Sequence, residues 1–305
     1  MTRLDDLQSR FDAVESALND RLPGPLKVGF LTLYVYTERG EPWVDAVADR
    51  GPWKRWHDIG VLALLATGLA SLLAVAWVAV AAATGSVEST AANDPGNMVA
   101  VPGLNDFMPL AAAGYIVLAL LVATLAHEGG HAVATRLDDV PIEEMGVALL
   151  FGVIPLAAYV LPGDALDDAP ARTRLRVFAA GVANNLALTV LAVVGFLLVG
   201  PALAVDAYMT YFGWLYTSAA APTAAAVASI GVVGNLLFWT GFLNANLALL
   251  NALPVWPLDG GKVLKIVVDS TASRLGVGGS RHVLVGAGAL TASAVVLALF
   301  GPLLF

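Results

Sequence analysis

Long apolar runs alternate with short polar connections along the chain. Residues 59–83, "IGVLALLATGLASLLAVAWVAVAAA", hold no charge at all. Roughly 20 apolar residues cross a bilayer as a helix. Runs of this kind predict five spans, at about 58–84, 109–136, 175–203, 227–252 and 283–305. A further apolar stretch, "MGVALLFGVIPLAAYVLPG" at 145–163, is nearly long enough to cross. Gly146, Gly152, Pro155 and Pro162 argue against one straight helix there. If it crossed, Arg172, Arg174 and Arg176 would change sides and every later loop would invert. It reads as a re-entrant segment with strand-like pieces. Irregular backbone at membrane depth is tolerated only where protein or water covers it, so the segment should line a cavity.

The first 56 residues read differently. Leu4, Leu7, Phe11, Val14 and Leu18 recur at helical spacing, and "KVGFLTLYVY" at 27–36 reads as a strand. One helix and one strand build little core, so this segment is expected to pack on the membrane part or lie at its surface. The fold class is an all-α polytopic membrane protein with about five transmembrane helices. To it belong a re-entrant β-like segment and a small cytosolic N-terminal α/β segment. Residues 1–56 form that segment and 57–305 the membrane-embedded domain.

Composition agrees: 58% of the residues are hydrophobic and 13% charged. The connections 85–108 and 204–226 contain no Lys or Arg. The 16 basic residues lie in the N-terminal segment, at the end of the second span, or in and beside the connections 137–174 and 253–282. Cytoplasmic loops carry the excess of Lys and Arg. The expected protein is therefore a multi-pass protein of the cell membrane, with its N-terminus cytoplasmic and its C-terminus outside. The polar N-terminal stretch also argues against a cleavable signal peptide. The net charge of −8 speaks against a nucleic-acid partner. Seventeen Asp against four Lys would suit a high-salt cytoplasm such as that of a halophilic archaeon. Cysteine is absent, so a transition-metal site must draw on His, Asp or Glu.

The second span carries such groups in "ATLAHEGGHAVATRL", 123–137. His127 and His131 are one helical turn apart on one face and together can bind one zinc ion. Glu128 projects beside them, placed to take a proton from a water that the ion activates. Ionisable groups inside a span are rare and usually functional, which raises a short motif above accident. Helix rise puts the site roughly 8 to 14 Å below the cytosolic surface, on the cytoplasmic side. Gly129 and Gly130 either allow close helix packing or leave room for a substrate backbone beside the metal. Two histidines leave zinc short of a protein ligand. Asp259, in "NALPVWPLDGGK" at 251–262, follows the fourth span at a matching depth. His57 and His282 begin spans beside basic residues and read as interfacial.

These motifs together resemble the site-2 protease family of intramembrane zinc metalloproteases, from about residue 100 onward. "HEGGH" fits its first zinc motif, and "NALPVWPLDGG" fits N-x-x-P-x-x-P-L-D-G-G at every defined position. "FAAGVANN" at 178–185 looks like the A-G-P-x-x-N element, with Val182 in place of the proline. "VPGLN" at 101–105 and "GVALLFGVIPLAAYV" look like the branch that contains the eukaryotic enzyme. The resemblance implies a catalytic core of three helices within about 109–262. It implies one Zn2+ per chain on His127, His131 and Asp259, with Glu128 as general base. It implies that Asn185 helps hold substrate or oxyanion and that Asn251 helps order the loop around Asp259. Asn184, Asn244 and Asn246 read instead as interhelical hydrogen-bonding residues. The re-entrant segment, with Gly152 and Pro155, would present a strand edge to an unwound substrate. The implied partners are single-span membrane proteins, pre-trimmed by another protease, within the lipid bilayer. The implied activity is regulated intramembrane proteolysis. No PDZ-sized stretch separates the motifs, which leaves substrate selection open. The alternative reading is a ZIP-like divalent metal transporter, which needs more ligands along a path than four histidines provide.

Overall fold

The computed structural model describes residues 15–29, 31–86, 89–94, 108–152, 154–217 and 219–304. Leu4, Leu7, Phe11, Val14 and the "VPGLN" stretch lie outside the described residues. Among the described residues, five helices are long and apolar enough to cross a membrane, at Trp53–Ala83, Leu110–Arg136, Ala171–Val199, Gly231–Asn251 and Ser280–Leu303. These match the five expected spans within a few residues.

In chain order, strands β1 (Leu26–Gly29) and β2 (Thr32–Thr37) precede helices α1 (Glu41–Ala48), α2 (Trp53–Ala83) and α3 (Ala113–Arg136). Strands β3 (Ile142–Leu150) and β4 (Ile154–Pro162) follow, then α4 (Ala165–Asp168) and α5 (Ala171–Val199). The chain ends with α6 (Pro201–Tyr216), α7 (Ala224–Ser229), α8 (Gly231–Asn251), α9 (Asp259–Leu275) and α10 (Ser280–Leu304). Helix α5 is the centre of the bundle and packs against α2, α3, α8 and α9, while α10 packs on α2.

Helix α2 shows how an apolar span sorts its faces. Gly60, Leu64, Gly68 and Ser71 are buried, whereas Leu62, Leu69, Leu73 and Trp77 are exposed. Lipid covers an exposed apolar face as water cannot, so small residues mark the packed side. Farther from Arg136, α3, α6 and α8 enclose an aromatic cluster with Tyr211, Trp214, Phe238, Trp239 and Phe242. Phe238 and Trp239 meet edge to face with ring centroids 5.2 Å apart, a favourable quadrupole arrangement.

The sequence reading changes in four places. The 27–36 strand is a hairpin: β1 and β2 pair antiparallel, and Leu31 next to the turn has φ 56°. The 145–163 segment is likewise a hairpin, β3 with β4. Its turn runs through Phe151 (φ 51°) and Gly152 (φ 75°). A left-handed residue there favours glycine, which gives Gly152 a turn-forming task. The two hairpins join into one four-stranded sheet ordered β1-β2-β3-β4, with Tyr34 opposite Ala148. The N-terminal segment thus shares a sheet with the membrane part. The third span stops at Val199, because Gly200 is extended and Pro201 starts α6, so the expected connection 204–226 is largely helical. The connection 253–282 holds α9.

His57 also departs from its expected interfacial place. It is 1% exposed, and neither ring nitrogen has a hydrogen-bond partner among the described residues. His282 is exposed, as an interfacial residue would be.

Polar residues knit the end of the bundle where α3 stops and α5 begins. Arg136 pairs with Asp45 of α1 at 2.7 Å and with Glu41 at 3.2 Å. Arg176 pairs with Asp58 at 2.8 Å and with Asp138 at 3.5 Å. Burial pushes the Asp138 carboxyl up, but Lys54 and the Thr173 hydroxyl outweigh it and hold the group below its usual range.

Candidate metal centre

The one-turn spacing of His127 and His131 works as the helical repeat requires. Their Nε2 atoms lie 3.2 Å apart, with the rings edge to face. Asp259 is the first residue of α9, and its Oδ2 lies 3.2 Å from each of those Nε2 atoms. The "PVWPLDGG" turn folds α9 back onto the chain so tightly that a Cβ on Gly261 would meet Val255 and Trp256 backbone at 2.5–2.6 Å. That close return carries Asp259, 3% exposed, under α3.

Hydrogen bonding at the opposite ring nitrogens decides what these three atoms present to one another. His131 Nδ1 lies 2.7 Å from the Val177 carbonyl oxygen, and His127 Nδ1 lies 2.6 Å from Asn185 Oδ1. Both partners are acceptors, so each Nδ1 donates and each neutral ring keeps its lone pair at Nε2. Two such nitrogens and one carboxylate oxygen then face one another as three acceptors, with sides of 3.2 Å. Asp259 Oδ2 has no hydrogen-bond donor among the described residues. Bare acceptors repel, and a cation among them removes the repulsion. Tetrahedral ligand atoms about 2.0–2.2 Å from zinc stand about 3.3–3.6 Å apart, close to this triangle. The donor set fits zinc.

Glu128 is half-buried and also near: ligand atoms from His127, Glu128 and His131 all lie within 4.8 Å of one another. It makes no hydrogen bond to another described residue.

Helix α5 forms the floor of the site. The "FAAGVANN" glycine, Gly181, lies under the His127 ring, where a Cβ would come within 2.6–2.7 Å of three ring atoms. Any larger residue would push the imidazole away. In the sequence, Gly181 is one small residue among several in "FAAGVANN", and local pattern gives it no task. The two glycines of HEGGH divide the tasks left open for them. Gly130 packs against α5, where a Cβ would sit 2.8 Å from the Ala180 oxygen and Asn184 Nδ2. A Cβ on Gly129 would meet no described neighbour within 4 Å. It borders a groove of about 340 Å³ lined by Trp43, Val47, Trp53, His57 and Leu125. Two residues along a helix rotate about 200°, so this groove lies behind α3 and not beside the imidazoles.

The remaining candidates are dispersed. Asn185 is 0% exposed, and its Nδ2 donates to Asn244 Oδ1 at 2.7 Å and to the Ala123 oxygen at 3.2 Å. With Oδ1 on His127, both ends are engaged, so the expected contact with substrate does not match this placement. Asn251 is half-buried and donates to the Leu247 oxygen of its own helix at 3.2 Å, with no bond to the Asp259 loop. Asn184 bridges helices, accepting from Trp56 Nε1 at 2.9 Å and donating to the Ala126 oxygen at 2.8 Å. Gly152 lies at the hairpin turn, and Pro155 pairs with Leu149 in β4.

The fold and the site define a polytopic membrane protein with a metallopeptidase centre of the H-E-x-x-H kind. Residues 115–295 match the model of peptidase family M50, and the chain belongs to that family, the site-2 protease family. It is 29% identical over 190 residues to "Putative zinc metalloprotease Rip3" of Mycobacterium tuberculosis, in strain Erdman and in strain H37Rv. The alignment covers 61% of this chain and 39% of those relatives. No solved structure matches the chain.

Proposed function

We propose that the protein is a zinc-dependent endopeptidase that hydrolyses a peptide bond in or near the membrane span of a membrane-anchored substrate. The observation that carries this reading is the triangle of acceptors from His127, His131 and Asp259, with Glu128 one position from a ligand. His127, His131 and Asp259 hold one zinc ion per chain. When bound, zinc supplies Lewis acidity toward water and the scissile carbonyl. Glu128 accepts the proton of the attacking water and returns it to the departing amine. Its freedom from other hydrogen bonds leaves the carboxylate available for both transfers.

A helical substrate hides its carbonyls in internal hydrogen bonds, so cleavage requires local extension. Strand β4 ends the sheet, pairing on one side with β3, and it packs on α3, the helix that carries the two histidines. An extended substrate adds there as a further strand, with Pro155 in that edge and Gly152 shaping its turn. Asn251 borders the entry to the Asp259 turn. The substrates are single-span proteins, pre-trimmed by another protease, reached through the bilayer in regulated intramembrane proteolysis. The catalytic core is residues 109–262 of the membrane domain 57–305.

The test is cleavage of model single-span substrates by purified protein in liposomes, with and without a zinc chelator. Cleavage abolished by chelation and restored by zinc is expected. A broad panel left intact, while zinc ions cross the liposome wall, would establish the ZIP-like transporter instead.

Orientation rests on the one-sided distribution of Lys and Arg. With no native cysteine to interfere, a cysteine at Asp167 is expected to label from the cytoplasmic side and one at Ala220 from outside. The reverse pattern overturns the topology.

A further inference from the structure

The two histidines obtain the same ring orientation from different kinds of partner. His131 Nδ1 faces a backbone carbonyl, Val177 O, which accepts and cannot do otherwise. His127 Nδ1 faces a side-chain amide, and an amide has two ends. Turned the other way, Asn185 would donate its NH₂ to Nδ1. The ring proton would then sit on Nε2, the atom that must face the metal with a lone pair. Something has to prevent that turn.

Asn244 on α8 supplies the constraint. Its Nδ2 donates to the Thr240 oxygen at 2.8 Å, an acceptor one turn back on its own helix. Its Oδ1 is thereby aimed at Asn185 and accepts from Asn185 Nδ2 at 2.7 Å. The Ala123 oxygen takes the second amide proton of Asn185 at a longer 3.2 Å. A turned Asn185 would set its oxygen against two acceptors. Turning Asn244 as well would set the Asn244 oxygen against the Thr240 oxygen. Asn185 and Asn244 are both 0% exposed, so no solvent relieves either clash.

We propose that Asn244 is a positioning residue of the metal centre, acting through Asn185 to hold the proton of His127 on Nδ1 and its lone pair on Nε2. The direction runs from the Thr240 carbonyl on α8, through two amides, to the ring on α3. Three spans are thus read by one ligand. The inference rests on the metal-binding reading above. It gives Asn185 the task of orienting His127 rather than of touching substrate.

Groups that orient a ligating histidine commonly change metal affinity 10- to 100-fold when removed. Asn244→Leu is expected to weaken zinc binding about tenfold or more, measured by competition with a chromogenic chelator. Nitrogen chemical shifts of labelled histidine in the metal-free protein should show His127 protonated at Nδ1 in the native chain. In Asn244→Leu they should show a mixture of ring forms.

A carboxylate has no nitrogen end to turn, so Asn185→Asp removes the need for a director. Asn244→Leu in the Asn185→Asp background is therefore expected not to lower zinc affinity relative to Asn185→Asp alone, because it removes no director and takes away the Asn244 oxygen that would face the new carboxylate. A residue that only packs α8 on α5 would lower affinity equally in both backgrounds, and that result overturns the proposal. So does a native ring-proton pattern in Asn244→Leu. Zinc failing to bind the native chain would sink the metal site itself, and the histidine spectra separate that failure from this one.

Discussion

Glu128→Gln is expected to keep its zinc and to bind substrate while losing turnover by roughly 10² to 10⁴-fold, the usual contribution of a general base. The substitution preserves shape and removes only the ability to accept a proton. Glu128 is near the histidines but is not a corner of the 3.2 Å triangle, so the donor set survives the change. No hydrogen bond to another described residue is lost either, so folding should be little disturbed. Zinc content by elemental analysis, substrate capture, and single-turnover cleavage of a model span make the comparison. Cleavage at the native rate would show that the proton goes elsewhere. Loss of zinc together with activity would show that Glu128 is a ligand.

Asp259→Ala acts on the metal directly. It removes one of three protein donors, so zinc affinity should fall by more than the 10- to 100-fold that an orienting residue contributes. The same substitution takes away a buried carboxylate, 3% exposed, whose Oδ2 faces two ring acceptors and whose Oδ1 lies 3.5 Å from Lys262 Nζ. A buried carboxylate oxygen set against acceptors is destabilising. Metal-free Asp259→Ala should therefore unfold in detergent no more easily than the metal-free native chain. Chelator competition and thermal unfolding with and without zinc separate the two effects. Native affinity in Asp259→Ala would move the third ligand to another residue. A metal-free variant less stable than its native counterpart would mean that Asp259 holds α9 in place without metal.

Much of the membrane core was legible from local pattern. A bilayer demands length and apolarity from any helix that crosses it, and the five spans appear in the sequence for that reason. A metal pair at i and i+4 is equally local, because one helical turn brings His127 to His131. Asp259 was legible through its motif, since a chain that ends one helix and starts another within eight residues has few paths to follow.

Tertiary structure alone decided the rest. The run 27–36 looks like any strand, and nothing within it names Met145–Leu150 of a distant hairpin as its partner. Pairing across such a separation depends on where the membrane helices hold the two hairpins. The asparagines of α8 make the same point. Asn235, Asn244, Asn246 and Asn251 each donate to the carbonyl four residues back, so all four satisfy the helix locally in one way. Only the packing of α5 on α8 puts Asn185 Nδ2 2.7 Å from Asn244 Oδ1 and makes that residue part of the site. Gly181 is likewise one small residue among several in an apolar helix until the His127 ring lies on it. The sequence by itself determined which helices are long and apolar enough to cross and which side chains are the candidates for the chemistry, because both follow from residue type and short spacing. The tertiary structure determined which neighbours orient those side chains, because orientation depends on contacts between spans far apart in the chain.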